Sequence, residues 1–308
     1  MKKLTEVELT KLEASLSEYK GDDRIISSHE LQAELLKTEE NVFKVKTGIP
    51  TLDRILQGFE MGELIVFTGP TGEGKTTLTM TITKNLASKN INCLWFTFEV
   101  TPRQFLKKIG LGGSVPLFFL PREITENYVS WIEQRIIEAK VKHNVQVVFI
   151  DHLHAIFSLS KVRNNISLEI GDIAAQIKDM CIRHNIVICL IAHGKDNADG
   201  SLREPTKQSI RDSGLISRIA DSIIGVWRTK NGASFNETMM QAIGEEDTWA
   251  KMRVFKNRRE GKLGGCMLDH KNHYLTELDT VTVKQPELKT DSIKKSLQEK
   301  IIYEARNF

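Results

Sequence analysis

The stretch GELIVFTGPTGEGKTT, residues Gly62–Thr77, decides the fold. LIVFT is a continuous apolar run of strand length, the pattern of a strand covered on both faces. Behind it, GPTGEGKT satisfies G-x-x-x-x-G-K-[ST], and the helix-length run TLTMTITKNLA follows. A strand, a glycine-rich loop and a helix in that order make a phosphate cradle. Gly69, Pro70, Thr71, Gly72, Glu73 and Gly74 turn their backbone N–H groups inward, and the helix N-terminus adds its positive dipole end. Lys75 reaches the terminal phosphates, the Thr76 hydroxyl ligates Mg²⁺, and Thr77 completes the first turn. ATP or another nucleoside triphosphate, with Mg²⁺, is therefore the expected ligand.

Outward from this motif, CLWFTF, VQVVFI and IVICLIA are further apolar runs separated by helix-length segments, and SIIGVW and MRVFK follow. The alternation predicts an α/β domain with a mostly parallel central sheet covered by helices. It begins near residue 43 and ends near 279. Residues 229–250 are polar and read as a long hairpin loop. Before the domain, residues 1–42 form a helical extension and linker. Leu4, Val7, Leu12 and Leu16 have helical spacing there, and Ser27 with Glu30 offers a capping box to a short helix carrying Leu31, Leu35 and Leu36. Residues 280–308 are a linker and a helix with Ile293, Leu297 and Ile301, capped by Asp291. Each terminal stripe fits docking on its own domain or on a neighbour.

The 308 residues carry 43 basic and 40 acidic side chains, a net charge of +3, too mild to announce nucleic-acid binding by itself. Cys93, Cys181, Cys189 and Cys266 are scattered without a CxxC pair, which argues against a zinc ribbon and for thiols in a reducing compartment. No apolar run is long enough to span a bilayer and no signal segment opens the chain, so the expectation is a cytoplasmic protein with no membrane partner.

A second Mg²⁺ contact is expected from an Asp closing an apolar strand, and VQVVFID supplies Asp151. LWFTFEV ends its expected strand in Glu99, a carboxylate able to hold the attacking water; a solvated strand-end glutamate fits the same pattern. LIAH aims His193 at the same edge, where it could respond to the γ-phosphate, although the spacing alone favours a satisfied core histidine. His152 and His154 have His-x-His spacing. With no cysteine or third carboxylate joining them, they read as core or supporting histidines rather than a metal pair.

TGIPTLDRILQGFEMGELIVFTGPTGEGKTT, LWFTFEV, VVFIDHLH, LIAHGK, IRDSGLISRIADSIIGVWR and VFKNRREGKLGG occur in that order. Together they resemble the RecA-type motor domain of the DnaB-like replicative helicases over residues 43–279. His193, where bacterial DnaB proteins carry Gln, makes the chain more similar to mitochondrial Twinkle and the phage primase–helicases. The resemblance implies a RecA-like P-loop NTPase core in a ring-forming, hexameric, ATP-dependent DNA helicase that moves 5′–3′ on single-stranded DNA. A separate primase or loader is a further implied partner, and primer synthesis is not expected. Carried over residue by residue, Glu99 is the catalytic glutamate, Asp151 the Walker B aspartate and His193 the γ-phosphate sensor. Lys256 and Arg258 match the pair inserted into the neighbouring subunit's site, with Arg258 as arginine finger; a basic solvated edge strand is the alternative for KMRVFKNRR. Arg228 and His270 match positions that sandwich the adenine, His270 departing from the Tyr or Phe of relatives. Arg211, Asp212 and Gly214 match the DNA-contacting loop, preceded by Lys195, Arg203 and Lys207 among acids; Lys161 and Arg163 lie on a second loop. The rival implied class is a RecA- or KaiC-like DNA-binding ATPase that acts as a nucleotide switch without unwinding.

Overall fold

The computed structural model describes residues 5–21, 24–37, 44–110, 114–123, 128–153, 156, 166–194, 214–228, 249–271 and 273–278. The chain divides into two compact units, residues 1–43 and 44–308. In the first, helix α1 (Glu6–Ser17) opens on a capping box formed by Thr5 and Glu8, and Val7, Leu12 and Leu16 on it are exposed. Helix α2 (Ser28–Lys37) starts behind Ser27, whose hydroxyl accepts from the Glu30 N–H at 3.1 Å, while the Glu30 carboxylate turns to Arg24 at 3.3 Å.

The second unit holds an eight-stranded sheet in the order β10-β9-β8-β7-β3-β6-β5-β4. Its strands are β3 (Leu64–Gly69), β4 (Asn92–Thr97), β5 (Val145–Asp151), β6 (Val187–His193), β7 (Ser222–Arg228), β8 (Trp249–Asn257), β9 (Gly264–Lys271) and β10 (Tyr274–Glu277). The five from β7 to β4 pair in parallel, and β8, β9 and β10 add an antiparallel flank. A short antiparallel ribbon, β1 (Lys44–Val45) with β2 (Phe59–Glu60), precedes β3.

Strand β3 lies inside the sheet with both faces covered, which is why its residues read as uninterrupted hydrophobics. Leu64 and Val66 pack on one side with Ile132, Ile136, Ile170 and Ile177, from helices α6 (Tyr128–His143) and α7 (Ile166–Arg183). Ile65 and Phe67 point to the other side. There they join Leu52 of α3 (Pro50–Leu56), Leu78 and Ile82 of α4 (Lys75–Ala87), and Phe105 of α5 (Pro102–Gly110).

Helix α4 carries three buried threonines, unusual where β-branched polar residues weaken a helix. Each is committed to a partner. Thr81 Oγ1 accepts from the Leu275 N–H at 2.9 Å and Thr83 Oγ1 from Trp95 Nε1 at 3.0 Å, while Thr79 donates to the Lys75 carbonyl at 3.1 Å. The first two tie strands β10 and β4 to the helix behind the phosphate loop. The segment TGIPTLD is likewise structural: the Asp53 carboxylate accepts from the Thr47 and Gly48 N–H groups at 2.7 and 3.0 Å. Cys93, Cys181 and Cys189 are buried, and desolvation raises all three thiols above their usual range. No described helix is long and apolar enough to cross a membrane.

Candidate nucleotide site at the carboxyl ends of the parallel strands

Parallel strands deliver their last residues to one edge of a sheet, and here that edge collects the chemistry. Gly69 ends β3 beside His193, which ends β6, and Asp151 ends β5 beside Ile191 of β6. Gly69 has φ 146°, and a Cβ there would collide with the Val226 carbonyl, so only glycine lets the loop leave β3 against β7. Gly74 is the N-cap of α4, and Lys75 and Thr76 form its first turn.

Lys75 is buried, its ammonium donating to the Gly69 and Pro70 carbonyls at 2.9 and 2.7 Å, so it is folded back on the loop it would leave to meet a phosphate. Thr76 Oγ1 donates to Asp151 Oδ2 at 3.0 Å. A hydroxyl and a carboxylate at that spacing are a hard oxygen pair suited to Mg²⁺, which keeps its remaining positions for water and phosphate. Asp151 is buried, and that burial together with the nearby Glu99 charge raises its pKa from 3.8 to about 6; Thr76 and Lys75 pull the other way. The site holds a carboxylate that is costly to ionise until a cation arrives.

Glu99 lies two residues past β4, held over Asp151 by the hydrogen bond from the Phe98 N–H to the Asp151 carbonyl at 2.8 Å. Its Oε1 is 2.6 Å from His152 Nδ1 and 3.3 Å from His193 Nε2, and the carboxylate is 42% exposed. The two imidazoles meet edge to face with centroids 4.2 Å apart. Thr71 Oγ1 lies 3.4 Å from His193 Nδ1, which links the phosphate loop to this ring. His152 is therefore part of the cluster. Its neighbours come from β4 and β6, an association that His-x-His spacing could not reveal; His154 lies outside the described residues.

The two residues expected at the adenine, Arg228 and His270, lie on the strands β7 and β9. Arg228 closes β7, and its N–H donates to the Glu73 carboxylate at 2.6 Å. Burial and the Arg228 charge lower the His270 pKa, so the two candidate adenine residues share one locality. Leu275 of β10 completes it, lying against Gly74.

Lys256 and Arg258 sit at the other end of the sheet. Asn257 pairs with Ser222, which pairs with Ile65, four residues before Gly69 and thus roughly 13 Å along the strand. There the Lys256 ammonium donates to the Ser217, Arg218 and Ala220 carbonyls at 2.8, 3.0 and 2.5 Å, closing helix α8 (Gly214–Ile219). Arg258 is half exposed; it pairs with Asp221 at 3.0 Å and donates to the Arg218 carbonyl at 2.6 Å. Strand β8 has neighbours on both sides, so the edge-strand alternative for this segment is excluded. Sequence reasoning missed Asp221, a buried hub that also accepts from the Leu64 N–H at 2.8 Å and the Lys178 ammonium at 2.6 Å. Gly214 is exposed at the start of α8. Lys161, Arg163, Lys195, Arg203, Lys207, Arg211 and Asp212, with the terminal helix at Ile293, Leu297 and Ile301, lie outside the described residues.

Comparison with known proteins finds relatives of the same fold. Residues 119–277 match the family described as DnaB-like helicase C terminal domain, and residues 45–113 match the KaiC ATPase family. The replicative DNA helicase DnaB of Mycoplasma pneumoniae is 24% identical over 83% of this chain and 61% of its own length. That of Rickettsia conorii is 26% identical over 63% of this chain and 47% of its own. The chain thus spans roughly half to three fifths of the curated relatives it matches. Among solved structures, a DnaB-like replicative helicase studied with primase superposes with TM-score 0.65 at 17% identity, over 89% of this chain and 71% of that one. A KaiC-like protein from Pyrococcus horikoshii OT3 gives 0.58 at 16%, over 77% and 99%.

Proposed function

Since this chain belongs to the DnaB-like helicase C-terminal domain family, we propose that it is the motor of a ring-forming, hexameric, ATP-dependent DNA helicase. The observation that carries the reading is the division of the site. Lys75, Thr76, Glu99, Asp151 and His193 converge at one edge of the sheet, whereas Arg258 is held at the opposite one. Arg258 cannot reach its own chain's phosphate loop across that distance, and in this reading a second copy supplies it. Asp221 and the Arg218 carbonyl hold its guanidinium at the surface for that purpose.

In this reading Lys75 leaves the Gly69 and Pro70 carbonyls for the phosphates, while Thr76 and Asp151 would hold Mg²⁺, which supplies charge neutralisation at the phosphate oxygens. Glu99 accepts a hydrogen bond from the attacking water and orients it. His193, with Thr71 on its Nδ1, transmits the state of the loop to Glu99. Arg228 and His270 flank the base. Movement on single-stranded DNA falls to the loop around Arg211, Asp212 and Gly214 with Lys195, Arg203 and Lys207. Backbone contacts of this kind give sequence-tolerant, salt-sensitive binding. A separate primase or loader completes the assembly, in the cytoplasm of a bacterial or phage-infected cell, a setting supported by the bacterial relatives.

Unwinding of a forked duplex by the purified chain with Mg²⁺ and ATP tests the proposal. DNA-stimulated hydrolysis without strand separation would replace it with the KaiC-like switch, the reading favoured by the match over residues 45–113. For the shared site, rings mixed from Lys75→Ala and Arg258→Ala chains should recover hydrolysis that neither supports alone.

A further inference from the structure

Glu99, His152 and His193 each present one ligand atom, all within 4.8 Å of one another, the single such group of three or more among the described residues. The geometry points to a second metal site here, selective for zinc-class divalent ions, whose occupation blocks hydrolysis. Two imidazole nitrogens and one carboxylate oxygen form a donor set that Zn²⁺ takes with a fourth position open to water, and that Mg²⁺, which wants oxygen, does not.

The side chains stand nearly in place. A tetrahedral ion with bonds of about 2.0–2.1 Å sets its donors roughly 3.3 Å apart. Oε1 of Glu99 is 3.3 Å from His193 Nε2 and 2.6 Å from His152 Nδ1, so small rotations of the glutamate and His152 admit the ion. Thr71 near His193 Nδ1 occupies the position of the outer partner that fixes the tautomer and aim of a ligating imidazole. Both rings are mostly buried, at 14% and 19% exposure, while the carboxylate at 42% leaves an entry path. The neighbouring Thr76–Asp151 oxygen pair remains available to Mg²⁺, so the two sites differ in chemistry as well as place.

An ion held here takes the Glu99 oxygen that would otherwise accept from water. The binding half of the inference stands on the cluster alone; the inhibitory half rests on Glu99 acting as proposed above.

The test uses the full chain stripped of metal by a chelator. Zinc chloride titrated calorimetrically without nucleotide should show one saturable site per chain. Glu99→Gln and His193→Gln should each weaken it at least about tenfold, the low end of what losing even an outer partner costs. Cys266→Ser and His184→Gln, which remove a half-buried thiol and the imidazole beside Glu133, should leave it unchanged. Absent binding, binding unaltered in the two cluster variants, or binding lost in either control overturns the site. Cobalt substituted into the parent chain gives a check independent of variant folding: a thiolate charge-transfer band would also overturn it. At fixed Mg²⁺ and ATP, zinc at site-saturating concentration should abolish hydrolysis and chelator should restore it; a zinc-loaded chain hydrolysing at full rate refutes the inhibitory half. A metal-stripped chain that is inert with Mg²⁺ and ATP would instead refute the motor reading, leaving the calorimetric result intact.

Discussion

Replacing Asp151 by asparagine should make the metal-free protein more stable and its nucleotide site useless. The carboxyl is buried and close to Glu99, and its pKa is raised from 3.8 to about 6. Between those values lies about 3 kcal/mol of penalty on the ionised form. A carboxyl that holds its proton more tightly folded than unfolded stabilises the fold at low pH. That stabilisation drains away as pH rises from about 4 to 6 and is absent at pH 8. Asp151→Asn is neutral throughout, and its amide oxygen can still accept from Thr76, 3.0 Å away. Without Mg²⁺ or nucleotide the variant should exceed the parent at pH 8 by up to about 3 kcal/mol. For a domain of this size that is a melting temperature higher by about 6–12 °C. The gap should fall to about half by pH 5, where the parent carboxyl is mostly protonated. Thermal or urea unfolding at the two pH values reads both numbers. Magnesium should then raise the parent and leave the variant unmoved. A variant no more stable than the parent at pH 8, or a gap equal at both pH values, would refute the reasoning.

Other outcomes follow from neighbouring charges. Arg259 is paired with Glu60 and Glu63 at 2.9 and 2.7 Å and donates to the Leu56 and Gly58 carbonyls, so Arg259→Ala should cost about 3 kcal/mol in urea unfolding by stranding partly buried carboxylates. Arg258→Ala, next in sequence but half exposed, should cost under about 1 kcal/mol, because Lys178 still pairs with Asp221. It should nonetheless lower ATPase in assembled rings by about 10³ or more. Thr83→Val leaves Trp95 Nε1 buried without its acceptor and should lower stability by about 1–3 kcal/mol, measured the same way. Single-stranded DNA affinity should fall with salt, each neutralised phosphate adding about −0.7 to the log–log slope, and Arg211→Ala should flatten it.

Which features were legible in the sequence depends on how far apart in the chain their partners stand. The phosphate loop is read from GPTGEGKT because its function resides in consecutive backbone groups. Glu99, Asp151 and His193 are read almost as easily: each ends or closely follows an apolar run, and parallel strands carry such residues to a common edge whatever the intervening loops do. The antiparallel flank was only half legible. MRVFK announces β8, but β9 begins with Gly264 and Gly265, and a glycine pair reads as a turn. Gly265 is required because a Cβ there would strike the Met252 carbonyl of β8, a constraint visible only once the two strands are paired. Asp221 was illegible for the same reason, its partners lying 37, 43 and 157 residues away. His152 is the sharpest case. The sequence read it with His154 as a core or supporting histidine but could not name what it supports: a glutamate following β4 and a histidine ending β6. One residue past the strand that ends in Asp151, the side chain is set toward both adjoining strand ends. Three strand ends thus meet in one cluster around Glu99, and if that carboxylate orients water as proposed, a metal ion bound there acts as a brake on hydrolysis.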